Sequence, residues 1–373
     1  LPKYPRLRGK TPQPRRRKAT MTITLNYVFD NEPGLAREQR DGGFVYFYPD
    51  GRPVRRGAVI KRIHSLAIPP AYTDVWICRD PNGHIQATGR DARGRKQYRY
   101  HPQWNTIRDT TKYERMLAFG KTLPEIRRQV AACLKQDGIA RERVLGAVVK
   151  LLELTLIRVG NDEYARRNNS YGLTTLLTRH VQVSGSTITF EFRGKSGIEQ
   201  KVTVAHRGLA RIVRLCRGLP GRRLFQYLDD DGRRRAVSSA DVNEFLQEIS
   251  GAEFSAKDYR TWAGSVLAMS TLKKLAFSTE TQAKKNIVAT VKVVAARLGN
   301  TAAVCRKAYI HPALLDAYLS GALRTSAART RRPGSRADET EFLRFLERLS
   351  RTAAALRKKT VEVRPREPVI RAA

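Results

Sequence analysis

A chain of 373 residues with 41% hydrophobic content is long enough for two domains with cores of their own. Its 71 Lys and Arg against 34 Asp and Glu leave a formal net charge of +37, a self-repulsion that a polyanionic neighbour, nucleic acid above all, would relieve. No run of roughly eighteen apolar residues occurs, and no segment joins a basic face to a bulky apolar one, so a membrane is not the expected surface.

The four cysteines, Cys78, Cys133, Cys216 and Cys305, form no C-x-x-C pair and have no His cluster beside them. Neither a zinc site nor a disulfide framework is expected, and a cytoplasmic setting fits the thiols.

Residues 1 to 20 carry many cations, no acid and several prolines, and are expected to be a disordered basic arm. The arm lacks the apolar stretch of a secretory signal; its lack of acids fits a transit peptide, although Pro5, Pro12 and Pro14 oppose the amphipathic helix of one. The sequence opens on Leu1, with Met21 as the alternative start ahead of the first strand-like run.

Residues 21 to 103 are expected to form a β-rich N-terminal domain. "TITLNYV", "FVYFYP", "DVWIC", "HIQATG" and "KQYRY" are short β-branched or aromatic runs broken by turn residues such as "DPNG", and "VIKRIHSL" adds one helix.

Residues 104 to 325 are expected to be mainly helical. "LPEIRRQVAACLKQDG" predicts a helix starting at Pro124 and ending before Gly138, and "RERVLGAVVKLLELTLIRVG" a second that stops at Gly160, with Arg158 closing it. Between 180 and 204 the period changes to two, and "HVQV", "TITFEF" and "IEQKVTV" predict a three-stranded meander. Further helices are expected near 206–217, 238–249, 256–276, 281–298 and 301–309. Residues 326 to 373 are expected to be a basic C-terminal tail containing one amphipathic patch, "ETEFLRFLERLSRTAAALRKK", with a solvated charged face. The predicted fold class is α+β, a small β-rich domain followed by a mainly helical one with a β meander.

Cleavage of a phosphodiester by a side-chain nucleophile requires an attacking oxygen, cations on the non-bridging oxygens, an acid for the leaving oxygen and a grip on the duplex. No D-x-D-type carboxylate cluster stands beside the cations, so no metal and no cofactor is expected and charge must come from the protein. Arginine suits this because its planar fork binds two phosphate oxygens and keeps its proton.

Taken singly, each candidate also has a plain reading. Arg158 in "LIRVGNDEY" fits a cation at a helix C-terminus, and Lys195 in "RGKSG" fits an exposed turn lysine. In "SAKDYRTWAG", Ser255 and Asp258 form a capping signal that places Lys257 and Arg260 three apart on one helical face, either a phosphate site or a solvated surface.

In chain order, Arg158, the hairpin Lys195, the K-x-x-R of Lys257 and Arg260, then Asn300 and Tyr309 resemble the catalytic constellation of type IB DNA topoisomerases of the small poxvirus-like branch, more closely its bacterial members. The resemblance covers about residues 22 to 325. It implies that Arg158 and Arg260 clamp phosphate, Lys195 is the general acid, Asn300 a further donor and Tyr309 the nucleophile, with Tyr318 an ordinary helix-face aromatic. Residues 89 to 104, "GRDARGRKQYRYHPQW", look like the family's N-terminal DNA-contact segment, which implies major-groove roles for Gln97, Tyr98 and Tyr100. An aromatic cluster covering the sheet is the alternative for the two tyrosines, which alternation puts on one face of a strand. Lys257 is expected to touch DNA as well.

The poxviral enzymes have a histidine where this chain has Asn300, whose amide donates a hydrogen bond but carries no charge. The family implies a monomer that clamps double-stranded DNA and relaxes supercoils of either sign through a 3′-phosphotyrosine, without ATP or metal, in the cytoplasm on the nucleoid. Tyrosine recombinases share the plan but usually carry H-x-x-R where this chain has K-x-x-R. A non-enzymatic architectural DNA binder accounts for the charge alone.

Overall fold

The computed structural model describes residues 25–40, 42–92, 94–323 and 334–361. The expected basic arm, the first three residues of "TITLNYV" and the extreme C-terminus lie outside them. Two compact units are present, Leu1–Thr111 and Lys112–Ala373.

The first unit is a five-stranded antiparallel sheet in the order β2-β1-β3-β4-β5, formed by β1 (Leu35–Arg40), β2 (Gly43–Phe47), β3 (Thr73–Ile77), β4 (Ile85–Arg90) and β5 (Lys96–Tyr100), with helix α1 (Gly57–Ser65). Its core is small: Leu35, Val54, Ile63, Val75, Ile77 and Ala87. The expected strands at "FVYFYP", "DVWIC", "HIQATG" and "KQYRY" and the helix at "VIKRIHSL" are all present. Strand β1, "LAREQR", was not expected, because only Leu35 of it faces the core. Its arginines instead lie on aromatic rings of the neighbouring strand, Arg37 4.2 Å from the Phe44 centroid and Arg40 5.2 Å from that of Phe47. Of "TITLNYV", the described residues contribute one isolated bridge, Asn26 to Gly83.

The second unit is built on helices. Helix α2 (Trp104–Cys133) starts in the first unit and carries Pro124 in its interior, which corrects the expected start at that proline. The residue four before it, whose carbonyl a proline ring crowds and leaves without a donor, is Gly120. A Cβ at Gly120 would stand 2.4 Å from the Trp262 ring, so helix and indole pack closely there.

After α3 (Arg141–Thr155) and α4 (Asp162–Asn168) comes the expected meander of β6 (Val181–Ser184), β7 (Thr187–Arg193) and β8 (Glu199–Ala205), then α5 (Arg207–Gly218). An unexpected hairpin of β9 (Gln226–Leu228) and β10 (Arg234–Ala236) precedes α6 (Ser239–Ser250), α7 (Ala256–Leu272), α8 (Glu280–Leu298), α9 (Ala302–Ala308) and α10 (Pro312–Leu319). A single large core, with Phe119, Val148, Leu152, Phe190, Phe245 and Trp262 among its members, joins these elements.

The C-terminal region differs from the expected tail. Helix α11 (Arg336–Val361) buries Phe342, Phe345 and Leu346 in the same core, and Phe342 meets the Trp262 ring at 5.2 Å. Its acids face the protein: Glu339 takes a two-pronged bond from Arg127 at 2.8 Å, and Glu341 pairs with Lys273. The amphipathic patch is therefore a docked helix, held by an apolar stripe and by ion pairs at its margin.

Candidate active site

Helix α3 sets the site's floor by where it stops. The Thr155 hydroxyl accepts the Ile157 N–H at 3.2 Å, and Leu156 adopts a left-handed conformation at φ 59°, which breaks the helix before the expected end at Gly160. Arg158 consequently lies beyond the helix and is not its C-terminal cation. That duty falls to two other arginines: Arg297 donates to the Leu154 carbonyl at 2.9 Å and Arg260 donates to the Leu156 carbonyl. Arg297 was not recognised in the sequence, where it reads as one more cation near the end of α8.

Arg260, only 5% exposed on α7, also donates to the Leu298 carbonyl at 2.6 Å and so ties α3, α7 and α8 together. Arg158 donates to the Gly299 carbonyl at 3.1 Å and to the Asn300 side-chain oxygen in the α8–α9 turn. Burial pulls both guanidinium groups below their ordinary range; for Arg260 the charge of Arg158 adds to this, and the Tyr309 phenol opposes it. A half-buried cation beside a buried one raises its energy, and an anion bound between them would relieve that repulsion.

Tyr309 ends α9. Its ring lies 5.5 Å from the Arg260 guanidinium and 5.8 Å from the Lys112 ammonium, and Lys112 also donates to the carbonyl of Ala308. Tyr113 donates to the Ile310 carbonyl at 3.0 Å, and its ring stands 4.7 Å from that of His311. Behind the tyrosine, α7 comes close enough that a Cβ on Gly264 would be 2.8 Å from the Tyr309 carbonyl oxygen. The next residue, Ser265, donates to that carbonyl at 3.1 Å. Lys112, Gly264 and Ser265 were not singled out in the sequence, because no spacing rule links them to residue 309.

Lys195 sits exposed at the tip between β7 and β8, and it lines one cavity with Arg158 and Arg260. Arg158, Lys195, Arg260, Asn300 and Tyr309, scattered over 152 positions of sequence, thus converge. Lys257 does not join them: it is exposed on α7 while Arg260 is buried, so the two cations expected on one face are separated by depth. Tyr318 is fully buried and donates to the Leu275 carbonyl at 2.6 Å, which makes it a core residue.

Two donors in the cage have no acceptor among the described residues, Arg260 Nε and Asn300 Nδ2. Buried donors are seldom left unpaired. No group of three or more His, Cys, Asp or Glu side chains gathers as a metal site among the described residues.

In the first unit, β5 turns Tyr98 and Tyr100 outward, 44% and 39% exposed and stacked 5.9 Å apart. The stack continues to Trp104 at 6.3 Å, and the buried His84 links Trp104 to the 72% exposed Tyr27. The aromatic cluster given as the alternative for the two tyrosines is therefore present. Gln97 points to the other face of β5 and donates to Asp91 at 2.9 Å.

Two family models match the chain, that of the eukaryotic DNA topoisomerase I catalytic core over residues 101–330 and that of the bacterial DNA topoisomerase IB N-terminal domain over residues 43–91. The chain is 34% identical over 293 residues to DNA topoisomerase 1B of Acanthamoeba polyphaga mimivirus, an alignment covering 76% of this chain and 87% of the relative. It is 22% identical over 266 residues to DNA topoisomerase 1B of vaccinia virus (strain Copenhagen), covering 68% and 80%. With the α+β fold and the helical core already described, these matches establish that the chain belongs to the type IB DNA topoisomerases, isomerases that act on DNA.

Proposed function

We propose that the protein relaxes supercoiled duplex DNA of either sign by transient cleavage of one strand through a 3′-phosphotyrosine on Tyr309. The phenolic oxygen attacks the scissile phosphorus, a Tyr309 O–P bond forms and the P–O5′ bond breaks. Lys195 delivers its proton to the departing 5′ oxygen, and the phenol gives its proton up to the surroundings. Arg158 and Arg260 neutralise the charge that gathers on the non-bridging oxygens, and Asn300 Nδ2 adds a neutral hydrogen bond. The ester conserves the bond energy, so the reverse attack by the 5′ hydroxyl reseals the strand without ATP, and the positive charge supplied by the protein makes a divalent ion unnecessary.

The observation that carries this reading is the position of Tyr309 beside the buried Arg260, itself next to Arg158, with unpaired Nε and Nδ2 donors in the same cage. A monomer suffices, since all five side chains come from one chain. Tyr98, Tyr100 and Lys257 supply duplex contacts, the tyrosines by their outward face and Lys257 by its exposed ammonium. The test is relaxation of a supercoiled plasmid in excess EDTA. The parent protein is expected to relax it and Tyr309→Phe to bind without relaxing. Dependence on added Mg²⁺, or full relaxation by the Phe variant, would contradict the reading.

A further inference from the structure

The tip of the β7–β8 hairpin has little of its own to fix it. Ser196 and Gly197 are left-handed at φ 63° and 76°, and two backbone bonds, Gly194 N–H to the Ile198 carbonyl at 2.8 Å and Gly197 N–H to the Gly194 carbonyl at 3.1 Å, close the turn without holding the Lys195 side chain. A lysine on such a tip keeps much of its rotamer freedom, which opposes delivery of a proton to one particular atom.

One side chain bridges this tip and the α8–α9 turn. Gln200, opposite Phe192 in the β7–β8 ladder, lines the cavity shared by Arg158, Lys195 and Arg260. A Cβ on Gly194 would lie 3.1 Å from Gln200 Cγ, and a Cβ on Gly299 would lie 3.0 Å from both its Oε1 and its Nε2. Gly194 immediately precedes Lys195, and Gly299 immediately precedes Asn300. The glutamine thus occupies the space that two glycines leave open, each of them next to a residue of the site, and a larger residue at either glycine would push against it.

We propose that Gln200 is a positioning residue for Lys195, a strut whose packing sets the spacing between the Lys195 tip and the Asn300 turn. The proposal rests on the reading of Lys195 as the general acid. Its atoms make no bond to the reacting phosphate in this role; they hold the ammonium within reach of the 5′ oxygen.

The test uses single-turnover cleavage of two duplexes, one with an ordinary phosphodiester and one with sulfur replacing the bridging 5′ oxygen at the cleavage site. A thiolate leaves without a proton, so a defect confined to proton delivery disappears on the sulfur duplex. Lys195→Ala serves as the control and is expected to be slow on oxygen and restored on sulfur. Gln200→Ala is expected to lose about tenfold or more on oxygen and less than about threefold on sulfur, as misplacement of a catalytic group predicts. Gln200→Met, similar in length and lacking the amide, is expected to keep most of the oxygen rate.

Equal losses by Gln200→Ala on both duplexes, with Lys195→Ala restored, would overturn the proposal while leaving the general acid in place. A loss by Gln200→Met as large as that of Gln200→Ala would overturn it too, because the amide rather than the packing would then matter. Failure of sulfur to restore Lys195→Ala would remove the general-acid reading and the strut's purpose together.

Discussion

The Ser265 hydroxyl donates to the backbone carbonyl of Tyr309 at 3.1 Å, and it accepts the His311 N–H at 3.0 Å. Ser265 stands five residues after Arg260 on α7, so one helix carries both the arginine beside the phenol and the clamp on the phenol's backbone. Both contacts to Tyr309 therefore come from a single helix, and disturbing the clamp should move Tyr309, the proposed nucleophile, without touching the proposed DNA contacts.

Ser265→Ala removes both bonds and leaves a part-buried carbonyl and N–H without this partner, at a cost of about 1 kcal/mol. Single-turnover cleavage is expected to slow by roughly tenfold with DNA affinity unchanged, consistent with a small displacement of a reacting group. Gly264→Ala places a methyl 2.8 Å from the Tyr309 oxygen and should slow cleavage more. Unaltered cleavage in both variants would show that the clamp does not set the tyrosine's position.

Arg260 holds the carbonyls of Leu156 and Leu298 while facing Tyr309. An ammonium lacks the planar fork, so Arg260→Lys cannot hold both carbonyls and also offer Nε to a phosphate. The cleavage rate is expected to fall by about 100-fold or more, the scale of losing one preorganised donor. Urea unfolding should separate this loss from the accompanying loss of stability.

Acid should weaken the fold through His311. Its Nδ1 accepts the Ala313 N–H at 3.2 Å as the cap of α10, and burial, then the charge of Lys112, pushes its pKa down to about 4. Because the folded pKa lies below the unfolded value near 6.5, the unfolded chain binds the extra proton first. This contribution is complete above about pH 6.5 and is lost as the pH falls toward 4, about 3 kcal/mol in all. His311→Asn, which can still cap the helix, should flatten the stability profile over that window; an unchanged profile would assign the acid sensitivity to other groups.

Helix α11 should behave as part of the folded second unit. Phe342 is fully buried against Trp262, so Phe342→Ala is expected to cost about 3–5 kcal/mol of stability. Thermal melting that left this variant indistinguishable from the parent would mean that the helix does not support α7.

The meander, β5 and helices α5 to α9 were legible because each rests on local signals: alternation, capping residues and Gly at turns. The candidate site, whose five residues the structure brings close together, was named through an order and spacing that resemble a family's. What escaped depends on tertiary contact. The end of α3 is set by a left-handed leucine and two distant arginines, and Arg297 carries no mark of that duty in its own neighbourhood. Pro124 inside α2 is tolerated in a helix whose flanking turns are packed, although by local rules it starts one. Helix α11 looked solvated because its acids and arginines alternate in sequence, and only docking shows that Glu339 and Glu341 turn inward.

The account's central claim is most directly tested by trapping the covalent intermediate. Duplex DNA is mixed with the protein in excess EDTA, the reaction is stopped with a denaturing detergent, and the cross-linked peptide is identified by mass spectrometry. The account predicts a DNA 3′ phosphate on Tyr309, a free 5′ hydroxyl on the other fragment, and no adduct from Tyr309→Phe. An adduct on another residue, or one that forms only with a divalent ion present, would contradict it.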